Sequence, residues 1–507
     1  MSSWAQRNHL TLRALLGLGL GLASSAPRSA EACGGFFCNQ AQPVNQAAEK
    51  IIFADDGEGN ITAVIEITYA GPAQAFSWLL PIPTAATAPT LELSSQTALD
   101  RLQQRTNPSY QLTRRVEGEC DTDFSLGFAG SDSASAGRIA EAPGDVVQVS
   151  GGTVGPFDWT VIRVEPGVPE PAAAAVVWLR QNDYDVPEGA SALLNPYLEE
   201  QQSLLALRLT KGATTGAIRP IVVSYPAAKP SIPVRLTAIA AEDDMGVMTW
   251  LLGNGRGVPE NYYSLQLNEA RINWFNPASN YESVVNEAAD DAGGQGFVTE
   301  FAGPSRLLQS AVWNEGEEQA WLAVRRELDA ATEPQALSLV WARFGALDGF
   351  WEAVGGSLQL PAGVGLEDLK ACPSCNGWVE QTTLTPNGVA AKLESGVIDP
   401  LRRVQGLIDA HPYVTRVYTT LSATEMTVDP VFTFNPDLED VSNIHTASQV
   451  IECTSAVKEQ EASWRIELPQ GDVVRGHAAT TGLWPEALTS LPANLEIRRL
   501  SSSGDGK

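Results

Sequence analysis

Cys372-Pro-Ser-Cys375 is the closest-spaced pair of cysteines in the 507-residue sequence. A C-x-x-C pair runs thiol–disulfide exchange when one thiolate is stabilised and the other resolves the mixed disulfide. That chemistry needs a βαβ setting with the first cysteine at a helix N-terminus. Here Leu369-Lys370-Ala371 and Asn376-Gly377-Trp378 read as loop, so a structural disulfide is the simpler reading. The other cysteines are Cys33, Cys38, Cys120 and Cys453. Gly34 and Gly35 let the Cys33–Cys38 loop close tightly. Cys120 and Cys453 would remain as a long-range staple, but spacing alone does not choose among pairings. Cys33, Cys38, Cys372 and Cys375 would also make a four-thiolate zinc site. Oxidising conditions disfavour it, so no metal is assigned.

Few other residues point to chemistry. His411, His445 and His477 are scattered, and no G-x-S-x-G or H-E-x-x-H motif accompanies them. His411 precedes Pro412 and reads as a helix-end cap; all three read as structural or surface histidines. Asp121 to Asp132 loosely follows the spacing of a calcium loop, but Leu126 stands where glycine is needed and Asp132 where a bidentate Glu belongs. Whether that stretch binds calcium stays open, and no cofactor is expected. Of thirteen tryptophans, Trp78, Trp178, Trp250, Trp321 and Trp341 sit in apolar runs and read as core. Trp351 and Trp378, in loop-like surroundings, are the candidate ligand contacts. Sequence alone selects no carboxylate pair for glycoside hydrolysis.

The chain carries 33 basic and 60 acidic residues, a net charge of −27. The pairs Arg114-Arg115, Arg325-Arg326, Arg402-Arg403 and Arg498-Arg499 stand apart and form no stripe, which excludes a nucleic-acid partner. Arg7 and Arg13 precede the apolar run Leu15–Ala23, and Ala30-Glu31-Ala32 fits a small-x-small cleavage site. Residues 1–32 therefore read as a signal peptide, its run far shorter than the about 20 apolar residues that span a bilayer. Ala30 and the charged Glu31 depart from the lipoprotein pattern, so lipid anchoring at Cys33 is the lesser reading. The expected location is periplasmic or extracellular, with no transmembrane segment in the mature chain. Six cysteines, all after the signal, suit an oxidising compartment.

Around these residues the elements are mainly strands, then helices. Ile61–Tyr69 and Ala75–Ile82 read as a hairpin turned by Gly71-Pro72. Asp55–Asn60 reads as a turn. Ala98–Arg105, Pro169–Gln181, Ala190–Gln201 and Tyr281–Asp290 read as helices. Tyr110–Val116, Asp158–Glu165, Ser203–Thr210, Ala217–Tyr225, Ile232–Ala240 and Val247–Leu252 read as strands. Ser305–Trp313, Glu317–Leu328 and Gln335–Phe344 show helical spacing, with Trp321, Val324 and Leu328 on one face. Val414–Leu421 and Ala462–Leu468 are the clearest late strands.

Several stretches resemble a bacterial family, the domain of unknown function 2330. They are Ala32–Cys38 (ACGGFFC), Pro43–Ile52, Tyr69-Ala70-Gly71, Phe76–Pro83 (FSWLLPIP), Val154–Asp158, Trp178–Tyr184, Ile218–Leu236, Val414–Tyr418 and Met426–Phe432. The resemblance runs over roughly 33–455. It departs at Asn182-Asp183-Tyr184, where Asn-Gly-Tyr is the family pattern, which touches one local turn. It implies an exported bacterial protein and supplies no reaction and no catalytic residue.

The fold class expected is α+β, mainly antiparallel and sandwich-like, with helical insertions and a small helical region. The expected division is a β-rich domain over 33–303 with a loop insertion at 118–152, a helical region over 304–357, a mixed C-terminal region over 358–500 and a disordered tail over 501–507. The leading function is a non-catalytic envelope or extracellular protein that binds or scaffolds a protein or envelope component. The alternative is an extracellular enzyme, either a carboxylate hydrolase or a redox protein using Cys372 and Cys375. Oligomeric state is not read from the sequence.

Overall fold

A computed structural model describes residues 46–66, 76–85, 87–119, 147–186, 189–210, 218–239, 241–477 and 484–501. The signal segment 1–32, Cys33, Cys38, Cys120, the Asp121–Asp132 stretch and residues 502–507 lie outside them.

The fold is built on a nine-stranded sheet. Its order is Asn494–Arg498, Tyr263–Leu267, Gly296–Pro304, Tyr413–Leu421, Ala241–Gly253, Gln46–Asp55, Asn60–Ile65, Ile221–Pro226, Thr90–Leu93. Gln46–Asp55 runs parallel to Ala241–Gly253, and Tyr263–Leu267 parallel to Gly296–Pro304; the other neighbours are antiparallel. The central strands are apolar on nearly every residue because both faces are covered. Ile51, Phe53, Ile61, Ala63 and Leu251 face a second, four-stranded antiparallel sheet bearing Trp78, Phe157, Leu205 and Leu207. Ile52, Ala54, Val64, Trp250 and Leu252 face a layer of helices. The period of two along Ile51-Ile52-Phe53-Ala54 thus feeds two separate cores.

The second sheet runs Ser77–Ile82, Ser203–Leu209, Phe157–Arg163, Val147–Val154. Its far face is covered by helices Pro171–Arg180 and Ala190–Glu199 through Leu79, Ile162, Leu204, Leu179 and Leu194. A third sheet of Val473–His477, Ser463–Glu467, Ile444–Glu452 and Ser109–Glu117 packs with helix Tyr281–Asp290 against the end of the large sheet. The architecture is α+β with mostly antiparallel sheets, as expected.

Several local expectations are corrected. Asn60–Ile65 and Ser77–Ile82 do not pair as a hairpin but lie in different sheets, because each finds a longer apolar partner elsewhere. The loop insertion expected at 118–152, where Asp145–Val149 also reads as a strand, ends in the strand Val147–Val154 paired with Phe157–Arg163. Ile232–Ala240 holds the short helix Val234–Thr237 instead of a strand. The Arg235 N–H donates to Asp429, whose carboxylate also pairs with the guanidinium at 2.8 Å, and this fixes the turn. Ser305–Trp313 forms only the 3-10 turn Ser305–Leu308, broken where Ser310 takes a positive φ of 62°. Asp183 sits at φ 64°, a left-handed position that favours glycine, where the family pattern has glycine.

The helical layer continues past 357 to helix Asp399–Ala410. It includes Gln96–Thr106 from the first part of the chain. Asp348 ties the two together. It accepts from Ser95 Oγ and from the backbone N–H of Gln96 and Thr97, and pairs with Arg219 at 3.1 Å. Tyr413–Leu421 then returns to the middle of the large sheet, between Ala241–Gly253 and Gly296–Pro304. Elements from both sides of residues 303 and 357 thus share one sheet and one helical core. Among the described residues, no helix is long and apolar enough to cross a membrane.

Candidate functional site

The large sheet and the third sheet meet at a seam, and a cavity of about 450 Å³ opens there. Its floor is the strand Tyr263–Leu267, second from the edge of the large sheet, and the neighbouring Val298–Glu300. Its wall is Tyr110 and His445, adjacent in register across a parallel strand pair. Their rings stack at 4.5 Å with 12° between planes. Trp274 meets the Tyr110 ring edge-on at 5.1 Å, and its indole N–H donates to the Glu269 carbonyl at 3.0 Å. The carboxylate of the buried Glu269 holds His445 Nδ1 at 2.6 Å through Oε1; its Oε2 has no hydrogen-bond partner. A carboxylate on Nδ1 fixes the ring and leaves Nε2 as its remaining polar atom.

Glu300 lies deeper. It is 3% exposed, and its partner Arg416 is 2% exposed. Arg416 Nε stands 2.6 Å from Glu300 Oε2, and the Tyr281 hydroxyl donates to Oε1 at 2.8 Å. Arg416 also donates to the Gln103 carbonyl and to Asn107 Oδ1, so helix Gln96–Thr106 holds it from behind. Burial pushes the Glu300 carboxyl above its usual range, against the pull of the Arg416 guanidinium. Burial first, then the charges of Glu269 and Glu300, raises the Tyr110 phenol; burial and Glu300 raise that of Tyr281. The Tyr281 phenol thus remains a donor to Glu300. A second cavity of about 400 Å³ shares Tyr281 and Glu300 with the first and reaches Lys50 and Tyr418.

At the other end stands Arg256, on the short strand Arg256–Pro259. Its guanidinium donates to Thr299 Oγ1 at 3.1 Å and to the Glu439 carbonyl at 3.3 Å, while Nε is buried without an acceptor. Among the described residues no carboxylate pairs with it. Desolvation lowers its pKa, opposed by Tyr413. The buried Ser264 hydroxyl also lines the cavity without a partner. Glu439 and Asp440 stand exposed at the mouth, Asp440 accepting from the Tyr413 hydroxyl at 2.7 Å.

Residues 27–310, more than half the chain, match the family described as an uncharacterized protein conserved in bacteria, domain of unknown function 2330. The chain belongs to that family. The match spans Tyr110, Arg256, Ser264, Glu269, Tyr281 and Glu300 of the domain of unknown function 2330, while Asp440 and His445 come from beyond it. No curated protein and no solved structure matches the chain.

Of the described candidates weighed in the sequence, His445 lines this cavity, while Cys372, Cys375, Cys453, Trp351 and Trp378 do not. Cys372 and Cys375 form a disulfide just after helix Leu366–Ala371. Cys372 caps the C-terminal end of helix Leu366–Ala371, where the helix dipole opposes a thiolate. This is the reverse of the helix N-terminus that redox chemistry requires. Replacing both by serine should cost about 2 kcal/mol, the value for so short a closed loop. The wild-type protein should show no insulin-reductase activity; turnover that disappears in the double variant would revive the redox reading. Cys453 is disulfide-bonded, and its N–H donates to the Glu117 carbonyl at 2.8 Å. Trp351 and Trp378 are not in loops. Each belongs to a short helix and half-buries its ring against the helical core. His411 Nδ1 lies 2.7 Å from the Leu407 carbonyl at a helix end, and His477 Nδ1 lies 3.0 Å from Ser463 Oγ. His445 is the histidine that the sequence reading passed over. Its local polar stretch holds no signal; only the pairing of Ile444–Glu452 with Ser109–Glu117 brings it to Glu269.

Proposed function

We propose that this chain is an exported bacterial protein that binds a small polar ligand in the seam cavity without transforming it. The observation that carries the reading is the cavity itself. Its volume suits a small-molecule site, roughly 300–1,000 Å³. It is lined by charged and aromatic groups, and polar atoms of Glu269, Ser264 and Arg256 find no partner within the protein. Buried polar groups left unsatisfied by the fold cost stability, and a ligand that completes them recovers it. Export is supported by the leader-like start and by six cysteines after it. The net charge of −27 favours a dispersed protein and disfavours polyanionic partners.

Protein recovered gently from the host's periplasmic or secreted fraction should carry a small molecule in native mass spectrometry. Gln266→Trp, at an exposed position of strand Tyr263–Leu267 lining the cavity, should lose it while keeping the wild-type melting temperature. A wild-type protein that carries nothing, and whose melting point no fraction of a host extract raises, would overturn the reading. A hydrolytic reading has one observation in its favour, the Glu269–His445 contact, which orients an imidazole as a general base. Under it the bound compound comes back cleaved on incubation, and His445→Gln returns it intact.

A further inference from the structure

The charges in the cavity are of two kinds, and they do not cancel one another. Glu300 is matched by Arg416, and Glu496 by Arg498. Glu269, Glu439 and Asp440 are left facing His445 and Arg256. Arg256 has five N–H donors. One goes to Thr299 and one to the Glu439 carbonyl. The Nε–H has no acceptor, and each terminal nitrogen keeps one donor free of a protein partner. The Ser264 hydroxyl adds a further donor from the adjacent floor. A guanidinium taken out of water and given no carboxylate is costly unless an anion completes it. Its planar fork matches a carboxylate in two parallel hydrogen bonds. A phosphate dianion fits poorly, because Glu439 and Asp440 stand at the same mouth and only one cation is unmatched. The opposite need arises at Glu269, where a buried carboxylate oxygen has no donor. Tyr110 and Tyr281 stand near it as protonated phenols. An anion alone would satisfy Arg256 and be repelled by the remaining carboxylates. A cation alone would leave Arg256 bare.

We propose that the cavity takes a zwitterionic amino-carboxylate, an amino acid or short peptide, with its carboxylate on Arg256 and its ammonium toward Glu269. This rests on the binding reading above and names the ligand class. It assigns Arg256, through the donors left free on its terminal nitrogens, as the anchoring residue.

The test is calorimetric titration of the whole mature protein with glycine, diglycine and triglycine, with their N-acetyl derivatives, and with acetate and methylamine. The three lengths separate a free amino acid from a peptide, because each spaces its charges differently. At least one zwitterion should bind more tightly than acetate, methylamine and its own N-acetyl form. Arg256→Gln should weaken that binding about tenfold or more, the loss expected for hydrogen bonds to a charged group. Arg256→Lys, which keeps the charge but not the fork, should recover part of it. The proposal is overturned if acetate binds as well as every zwitterion, if both Arg256 variants keep wild-type affinity, or if none of the probes binds. A ligand co-purified from the host that lacks an amino-carboxylate would also overturn it and leave the binding reading standing. A protein that carries no ligand at all would take down both.

Discussion

Glu300→Gln should lower the unfolding free energy by about 3–5 kcal/mol, the cost of stranding one member of a buried ion pair. The substitution is nearly isosteric, so packing changes little. Gln can still accept from the Tyr281 hydroxyl, now held at 2.8 Å by Glu300. It cannot neutralise Arg416, which is 2% exposed and hemmed by Trp250, with the guanidinium 5.7 Å from the ring centre. The remaining contacts of Arg416, to the Gln103 carbonyl, the Thr106 hydroxyl and Asn107, are dipolar and leave a full charge uncompensated. Glu300→Leu combined with Arg416→Met should recover most of the loss, because removing both charges also removes their desolvation cost. Urea denaturation of the three proteins measures this. A loss below about 1 kcal/mol in the single variant would place the pair in the solvated class.

Local structure was legible where one residue pattern decides it. Tyr281–Asp290 forms the helix that its spacing predicts, and Tyr413–Leu421 the strand that its β-branched run predicts. Pairing was not legible. Tyr413–Leu421 enters the sheet between strands that end more than a hundred residues earlier, and nothing in its composition names its neighbours. The hairpin reading of Ile61–Ile82 failed for the same reason: proximity in sequence is a weaker determinant than a buried apolar face on a more distant strand. The cavity was the least legible feature. Tyr110, Glu269, Glu300, Arg416 and His445 come from five different elements, and each taken alone is an ordinary residue in an ordinary context. Tryptophan in loop-like sequence drew attention to Trp351 and Trp378, but short helices satisfy the same local pattern, and both rings pack on the core. The family resemblance held over residues 27–310, and a family without an assigned reaction brings no site residues with it.

Trp321→Ala should cost about 3–5 kcal/mol and should lower the stability of the whole molecule, not that of the helices alone. Trp321 is 0% exposed. It lies on helix Glu315–Ala330, which starts from a capping box of Asn314 and Glu317 and turns Trp321, Val324 and Leu328 inward. The indole meets Phe344 edge-on at 5.7 Å and donates a long 3.4 Å hydrogen bond to Glu394. Glu394 keeps Arg325 and Arg402 as partners after the indole is gone, so little of the cost is polar. The loss is the transfer of a large ring out of the core plus the cavity left behind. The cluster that would carry this cavity holds Ile52, Val64, Trp250 and Leu252 of the large sheet beside Leu401, Val404 and Ile408 of the helical layer. A cavity there weakens sheet and helices together. Thermal unfolding followed by far-ultraviolet and near-ultraviolet circular dichroism should therefore give one transition in both proteins, shifted down in the variant. Two separated transitions in the variant would show that the helical layer unfolds by itself, and the boundary near residue 304 would then mark a real folding unit.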